Sequence, residues 1–235
     1  MPTDVFKTLE VISESHCYNL WIYNNIKNYI IGDVFDIGSG IGDIIQHYAQ
    51  GSVRQIVASD YHKEMTDRLQ SRFLNNNKYR IVQINIEQQG SHGMVKPETM
   101  DTITCINVLE HIENDVQALS NMNAFLKKNG TLILLVPALQ SIYGTLDELV
   151  GHYRRYNKNN TRIKMEKSGF SVRKQFYMNF PGIMTWFIAG RILRHRAFSK
   201  NACKSLDKIV PVLEKIESVF PPFIGQSLIT VCSKV

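Results

Sequence analysis

Along the first two thirds of the chain, short apolar runs alternate with longer stretches whose apolar side chains recur every third or fourth position. The runs Val34-Phe35, Ile56-Val57-Ala58, Ile81-Val82, Met100 to Ile106 and Thr131 to Val136 read as strands, the last two continuous enough for a sheet buried on both faces. Residues 61–74 have helical spacing between them. A second helix carries the stripe Ile112, Val116, Leu119, Leu126, opens on Glu113 and Asp115, and is expected to close on Lys127 and Lys128 before Gly130, complementing its dipole. Residues 4–30 are expected to be helical, with Val5, Leu9 and Ile12 and then Leu20, Ile22, Ile26 and Ile30 in register. Helix 160–168 stops at Gly169, and strands follow at about Phe170 to Tyr177 and Ser227 to Ser233. Strands alternating with helices over short links imply an α/β, doubly wound, mostly parallel sheet with ligands at the C-terminal strand ends.

At the end of the first strand the pattern breaks into Asp36-Ile37-Gly38-Ser39-Gly40-Ile41-Gly42-Asp43. Glycine suits a turn with positive φ or a close approach of ligand to backbone. Ile41, Ile44, Ile45 and Tyr48 then have helical spacing, so a helix N-terminus is expected to face the ligand. A dinucleotide site wants G-x-G-x-x-G, but Asp43 holds the third glycine position. The D-x-G-x-G-x-G form resembles motif I of the class I S-adenosylmethionine (SAM) methyltransferases.

Other polar residues fall at the same strand ends. Asp60, beside Tyr61, is placed to accept from ribose hydroxyls, or else to cap the helix after it. Asn85 and Ile86 would suit an adenine edge and face, and Asn107-Val108 ends the fourth strand. Tyr18, Trp21 and Tyr23 either cover a sheet edge or close over the site.

The chain has 235 residues, 44% of them hydrophobic, which suits one domain spanning 1–235 with cap helices at 1–30. A net charge of +6 permits an anionic partner without requiring one. Four cysteines without a C-x-x-C pair read as reduced thiols, and with no secretory leader a cytoplasmic protein is expected. After the fifth strand, Tyr143-Gly144-Thr145-Leu146-Asp147-Glu148 leads to Gly151-His152-Tyr153-Arg154-Arg155-Tyr156, a polar, aromatic and basic stretch suited to an acidic or aromatic substrate group. Residues 178–224 form an insertion whose segment 181–196, including Trp186, is too short and interrupted for a span of ~18 residues. It reads as a substrate lid or a peripheral membrane contact.

Tyr18 to Tyr23, Asp36 to Gly42, Cys105 to Glu113, Leu134 to Ala138, Tyr143 to Tyr156 and Pro221 to Ile229 together resemble bacterial class I SAM methyltransferases of the ubiquinone/menaquinone-methyltransferase-like group. The resemblance is greatest to a branch associated with family 2 glycosyltransferases. It implies a seven-stranded sheet in the order 3-2-1-4-5-7-6 with the last strand antiparallel. It also implies SAM as cofactor, held by Asp36, Gly38, Ser39, Gly40, Asp60, Tyr61, Asn85, Ile86, Asn107 and Val108 and capped by Tyr18 and Trp21. Related quinone O-methyltransferases carry Glu-x-x-Glu-His after the fourth strand. Here Asn107-Val108-Leu109-Glu110-His111 lacks the first acid, so no metal is expected.

The expected reaction is in-line methyl transfer to an oxygen or nitrogen of a small-molecule or lipid- or saccharide-linked acceptor. His111 and His152 are candidate bases, Tyr143 and Tyr153 could orient the acceptor, and Tyr153, Arg154, Arg155, Tyr156 and Trp186 could bind it. Only the basic balance favours a nucleic-acid methyltransferase; the Asn/Asp-Pro-Pro-aromatic turn of base-amino enzymes is absent, so no nucleic acid is expected. A non-catalytic SAM-binding partner of a glycosyltransferase is the other alternative.

Overall fold

The computed structural model describes residues 15–88, 94–195, 205 and 207–235. The expected helix over 4–14 lies outside them. Seven strands form one sheet in the order β3-β2-β1-β4-β5-β7-β6: β1 Gly32–Ile37, β2 Val53–Asp60, β3 Tyr79–Gln83, β4 Met100–Ile106, β5 Leu126–Pro137, β6 Phe170–Met178 and β7 Ser227–Lys234. Strands β1 to β5 pair in parallel, and β7 runs antiparallel between β5 and β6. This is the order expected.

The helices are α1 (His16–Ile26), α2 (Lys63–Phe73), α3 (Asp115–Phe125), α4 (Thr145–Val150), α5 (Lys158–Lys167), α6 (Phe180–Phe187) and α7 (Val210–Val219). Strand periodicity of two sends alternate side chains to opposite faces. Phe35, Leu132 and Leu134 pack with Ala118, Leu119, Met122 and Met165 of α3 and α5. Val34, Ile133 and Leu135 face the other way, onto Trp21, Ile22 and Ile26 of α1, Leu69 of α2 and Val210 of α7. Cores on both faces explain why β4 and β5 are apolar almost without a break.

Two local expectations are corrected. Helix α3 ends at Phe125, and Lys127 and Lys128 already belong to β5. The Lys127 ammonium lies 2.8 Å from Asp101 and 3.6 Å from Asp33, so it closes a strand-edge ion cluster instead of a helix. Asn129, at φ 63°, takes the left-handed turn expected of Gly130. After the glycine turn no α-helix starts at Ile41. Gly42 stays left-handed at φ 88°, Arg72 bonds both the Ile41 carbonyl and the Asp43 carboxylate, and only a 3₁₀ segment, Ile45–Gln50, follows. No helix N-terminus therefore stands directly behind the glycine turn.

Candidate active site

The sheet register builds the first wall. Asp36 stands beside Thr104 across the β1–β4 pair, and the Thr104 hydroxyl donates to its carboxylate. Ser39 Oγ donates to the other Asp36 oxygen at 2.6 Å, and the Tyr48 hydroxyl lies 3.5 Å from the oxygen that Thr104 holds. Burial pushes the Asp36 pKa up to about 6 although these donors pull it down. The residue fixes the turn from beneath. Gly38 is left-handed, and a Cβ there would come within 2.3 Å of Val108, so the β1 and β4 loops touch only because it has none. Gly40 is also left-handed, but a Cβ there would meet nothing within 4 Å, because it faces open space.

Asp60 ends β2 and does two jobs. One oxygen accepts from the Gly40 amide at 3.1 Å, and the other from the His62 amide at 2.9 Å ahead of α2. Burial raises its pKa against the pull of these amides. Asp60 thus lies on the cavity wall and accepts from the amide of His62, the residue at the N-cap position of α2.

The cavity measures about 610 Å³, within the range of small-molecule sites. Tyr18, Asp36, Gly38, Ser39, Gly40, Asp60, Tyr61, Asn85, Ile86, Asn107 and Val108 line it, together with His111. Ile41, Ile44, His62, Met65, Ile84 and Ile112 are among the further wall residues not singled out as site residues from the sequence. The sequence showed Ile41, Ile44 and Ile112 only as apolar positions at helical spacing, and the sheet topology brings them to one rim. Asn107 adopts φ 53° as the chain leaves β4, and its amide bonds the Leu135 carbonyl.

Several expected site residues point elsewhere. Trp21 is 2% exposed and packs in the core below α1; Tyr18, edge-on to it at 6.1 Å, is the ring that reaches the cavity. Arg155 is buried, donating to Asp147 at 2.7 Å and to the Ala138 carbonyl. Arg154 pairs with Asp115 and bonds the Glu113 carbonyl. The buried Tyr156 hydroxyl donates to Asp115. These three hold the loop after β5 and do not line this cavity; Arg154 and Arg155 are paired with acids within the fold, and the Tyr156 hydroxyl is hydrogen-bonded to one. Tyr153 is exposed beneath the Arg154 guanidinium, and the Tyr143 hydroxyl donates to the His152 carbonyl.

Behind His111 lies a buried polar cluster. The His111 and His152 rings meet edge-on at 4.8 Å. His111 Nδ1 faces the Gly151 carbonyl at 3.3 Å, which assigns the proton to Nδ1 and leaves Nε2 as the basic nitrogen. Burial and the neighbouring His152 push the His111 pKa down to about 4. His152 Nδ1 bonds Asp147 at 2.8 Å, and its Nε2 lies 3.8 Å from Glu110. Asp147 also accepts from the Trp186 indole at 2.9 Å, so one carboxylate ties α4, the loop and α6 together. Glu110 is fully buried with no hydrogen-bond partner on either oxygen, and burial pushes its pKa up to about 8. Glu110, His111 and His152 each bring a potential ligand atom within 4.8 Å of the others, so the loop after β5 adds a third member to the pair read from the sequence. The sequence signalled neither the isolation of Glu110, which sits against a loop some forty residues on, nor the hub role of Asp147, which joins His152 and Arg155 nearby to Trp186 thirty-nine residues away.

Residues 35–132 match the methyltransferase-domain family model Methyltransf_12. This stretch, under half of the chain, is similar to a methyltransferase domain. It contains the glycine turn, Asp60, Asn85 and Asn107, and the fold around it is that of the SAM-dependent methyltransferases. A SAM-dependent methyltransferase from Mesorhizobium loti has a TM-score of 0.62 at 11% identity, covering 91% of this chain and 98% of that one. A Haemonchus contortus phosphoethanolamine N-methyltransferase, solved with phosphomonomethylethanolamine and S-adenosylhomocysteine, has 0.62 at 17%, covering 92% and 52%. A methyltransferase solved with the Trm112 activator of Haloferax volcanii has 0.62 at 10%, covering 95% and 97%. A search of curated protein sequences gave no match.

Proposed function

We propose that the protein is a SAM-dependent methyltransferase acting on an oxygen or nitrogen of a small-molecule or lipid- or saccharide-linked acceptor. One observation carries this reading: within a methyltransferase domain, the glycine turn, Asp60, Asn85-Ile86 and Asn107-Val108 converge on one cavity at the C-terminal ends of β1 to β4. The open space at Gly40 fits a ligand lying against the turn.

Gly38, Ser39 and Gly40 would hold the amino-acid end of the cofactor, Asp60 its ribose, and Asn85 and Ile86 its adenine. When bound, SAM supplies an electrophilic methyl group on a sulfonium. The protein's task is then alignment and exclusion of water, a contribution of about 7–11 kcal/mol in well-oriented reactions. Tyr18 and Ile112 close the cavity beside His111, which presents a neutral imidazole to the acceptor. A base whose conjugate acid is as strong as pKa 4 suits a weakly acidic proton, such as a phenol's, better than an aliphatic alcohol's. His152 and Tyr143 stand behind it as supports.

Incubation with methyl-labelled SAM and fractionated bacterial metabolites and lipids tests the reading. Label recovered in an acceptor, with stoichiometric S-adenosylhomocysteine, is the expected result. Binding of SAM without turnover in every fraction would overturn it in favour of a non-catalytic SAM-binding partner.

A further inference from the structure

We propose that the outward faces of α6 and α7 form a docking surface for an anionic lipid bilayer. Helix α6 is built inside out. Its inward positions, four residues apart, are Gly182, Trp186 and Gly190: both glycines are buried, the Gly190 carbonyl would lie 2.8 Å from a Cβ on Gly144, and the Trp186 indole bonds Asp147. The outward positions, also four apart, are Phe180, Met184, Ile188 and Ile192, all exposed, with the last two on the π-helical continuation Ile188–Ile192. The small residues face the protein and the large apolar ones face out, the reverse of a helix covering a core.

Helix α7 repeats the arrangement. Val210 is buried, whereas Val212, Ile216, Val219 and Phe220 are exposed at helical spacing. The two stripes share a groove of about 400 Å³ lined by Phe180, Leu213, Ile216, Phe220 and Phe223, and Phe223 is 95% exposed at its rim. An apolar surface drawn from two helices and the turn after them exceeds the scattered exposed side chains normal for a monomer. No helix among the described residues is long and apolar enough to cross a membrane, so the surface would lie on a bilayer and not span it.

Charge selects the partner. The acids of this region are already hydrogen-bonded within the protein, including Glu217 on the wall of the groove. Asp207 accepts from the Cys17 and Tyr18 amides, Glu214 from Asn24, and Glu217 from the Asn179 and Phe180 amides at the start of α6. The bases Arg191, Arg194, Lys208 and Lys215 are exposed. Apolar anchors rimmed by cations, with the neutralising carboxylates already hydrogen-bonded, complement anionic headgroups over hydrocarbon. The same contacts hold Tyr18 on the cavity wall, so the lipid-facing side adjoins the site.

Sedimentation of the full-length protein with extruded vesicles tests this without any methyl transfer, so it can fail independently of the proposed reaction. At least tenfold tighter association is expected with 30% phosphatidylglycerol vesicles than with pure phosphatidylcholine vesicles. Phe220→Ser/Phe223→Ser should lower it at least tenfold with an unchanged thermal midpoint, since both side chains are largely exposed. Arg194→Glu/Lys215→Glu should remove the preference for the anionic lipid. Three outcomes would each overturn the proposal: no sedimentation with either vesicle, equal binding by the Phe220→Ser/Phe223→Ser variant, or a dimer in light scattering that these substitutions dissociate while vesicle binding is absent.

Discussion

Replacing Glu110 with Gln should stabilise the protein near neutral pH. Glu110 is fully buried and neither carboxylate oxygen has a hydrogen-bond partner, while burial raises its pKa from 4.5 to about 8. At pH 7 the unfolded chain carries it ionised and the folded protein carries it protonated. Holding that proton costs about 3 kcal/mol, at 1.36 kcal/mol per pH unit above 4.5. Gln has the shape and polarity of the protonated acid and requires no proton. The sign follows from the raised folded-state value: this group's favourable contribution is complete below pH 4.5 and is lost as pH rises through 8. The variant and the parent should therefore unfold alike at pH 4.5, and the gap should open steadily up to pH 8. At roughly 2–4 °C per kcal/mol for a chain of this size, thermal melts at pH 7 should differ by up to about 6–12 °C. Urea titrations at four pH values would measure the free energies directly. A variant equally or less stable at every pH would refute the reasoning. It would mean that Glu110 is ionised in the folded state and held by Arg155, whose Nη2 also lacks a partner.

Gly40→Ala should cost about 1–2 kcal/mol of stability for its left-handed backbone, without a clash, and bind S-adenosylhomocysteine at least tenfold more weakly, because its methyl enters the cavity; unchanged affinity in calorimetry would contradict the placement. Gly38→Ala should lose affinity and stability together, since a Cβ at φ 72° would meet Val108 at 2.3 Å. Trp21→Ala should cost about 3–5 kcal/mol in denaturant unfolding with little change in cofactor affinity, as befits a core ring; the opposite pattern would restore it as a cap. With a hydroxyl acceptor, His111→Ala should lower turnover by about 10²–10⁴-fold, and the acid limb of the parent's kcat/KM profile should lie well below pH 6.5; a limb at 6.5 or unchanged turnover would remove His111 as base.

The fold was legible because strand continuity and helical spacing are local signals, and the glycine turn, Asp60, Asn85 and Asn107 sit at strand ends that alternation alone identifies. The sequence of the loop after β5 was misleading for a physical reason. Arg154 and Arg155 look like an anion fork, but Asp115 and Asp147, dozens and eight residues away, are closer partners than any ligand. Trp21 and Tyr18 differ by less than one helical turn, yet one is core and the other wall. The inverted polarity of α6 was invisible for the same reason: spacing shows a stripe but not which way it faces.

The most direct test of the whole reading is calorimetric titration of SAM and S-adenosylhomocysteine into the parent protein and the Asp60→Ala variant. Both ligands should bind the parent at one site, and the variant should bind them about 10–100-fold more weakly, the worth of a hydrogen bond to a charged group. No heat from either ligand, or equal affinity in the variant, would contradict the assignment of the cavity between the glycine turn and Asp60 as the cofactor site.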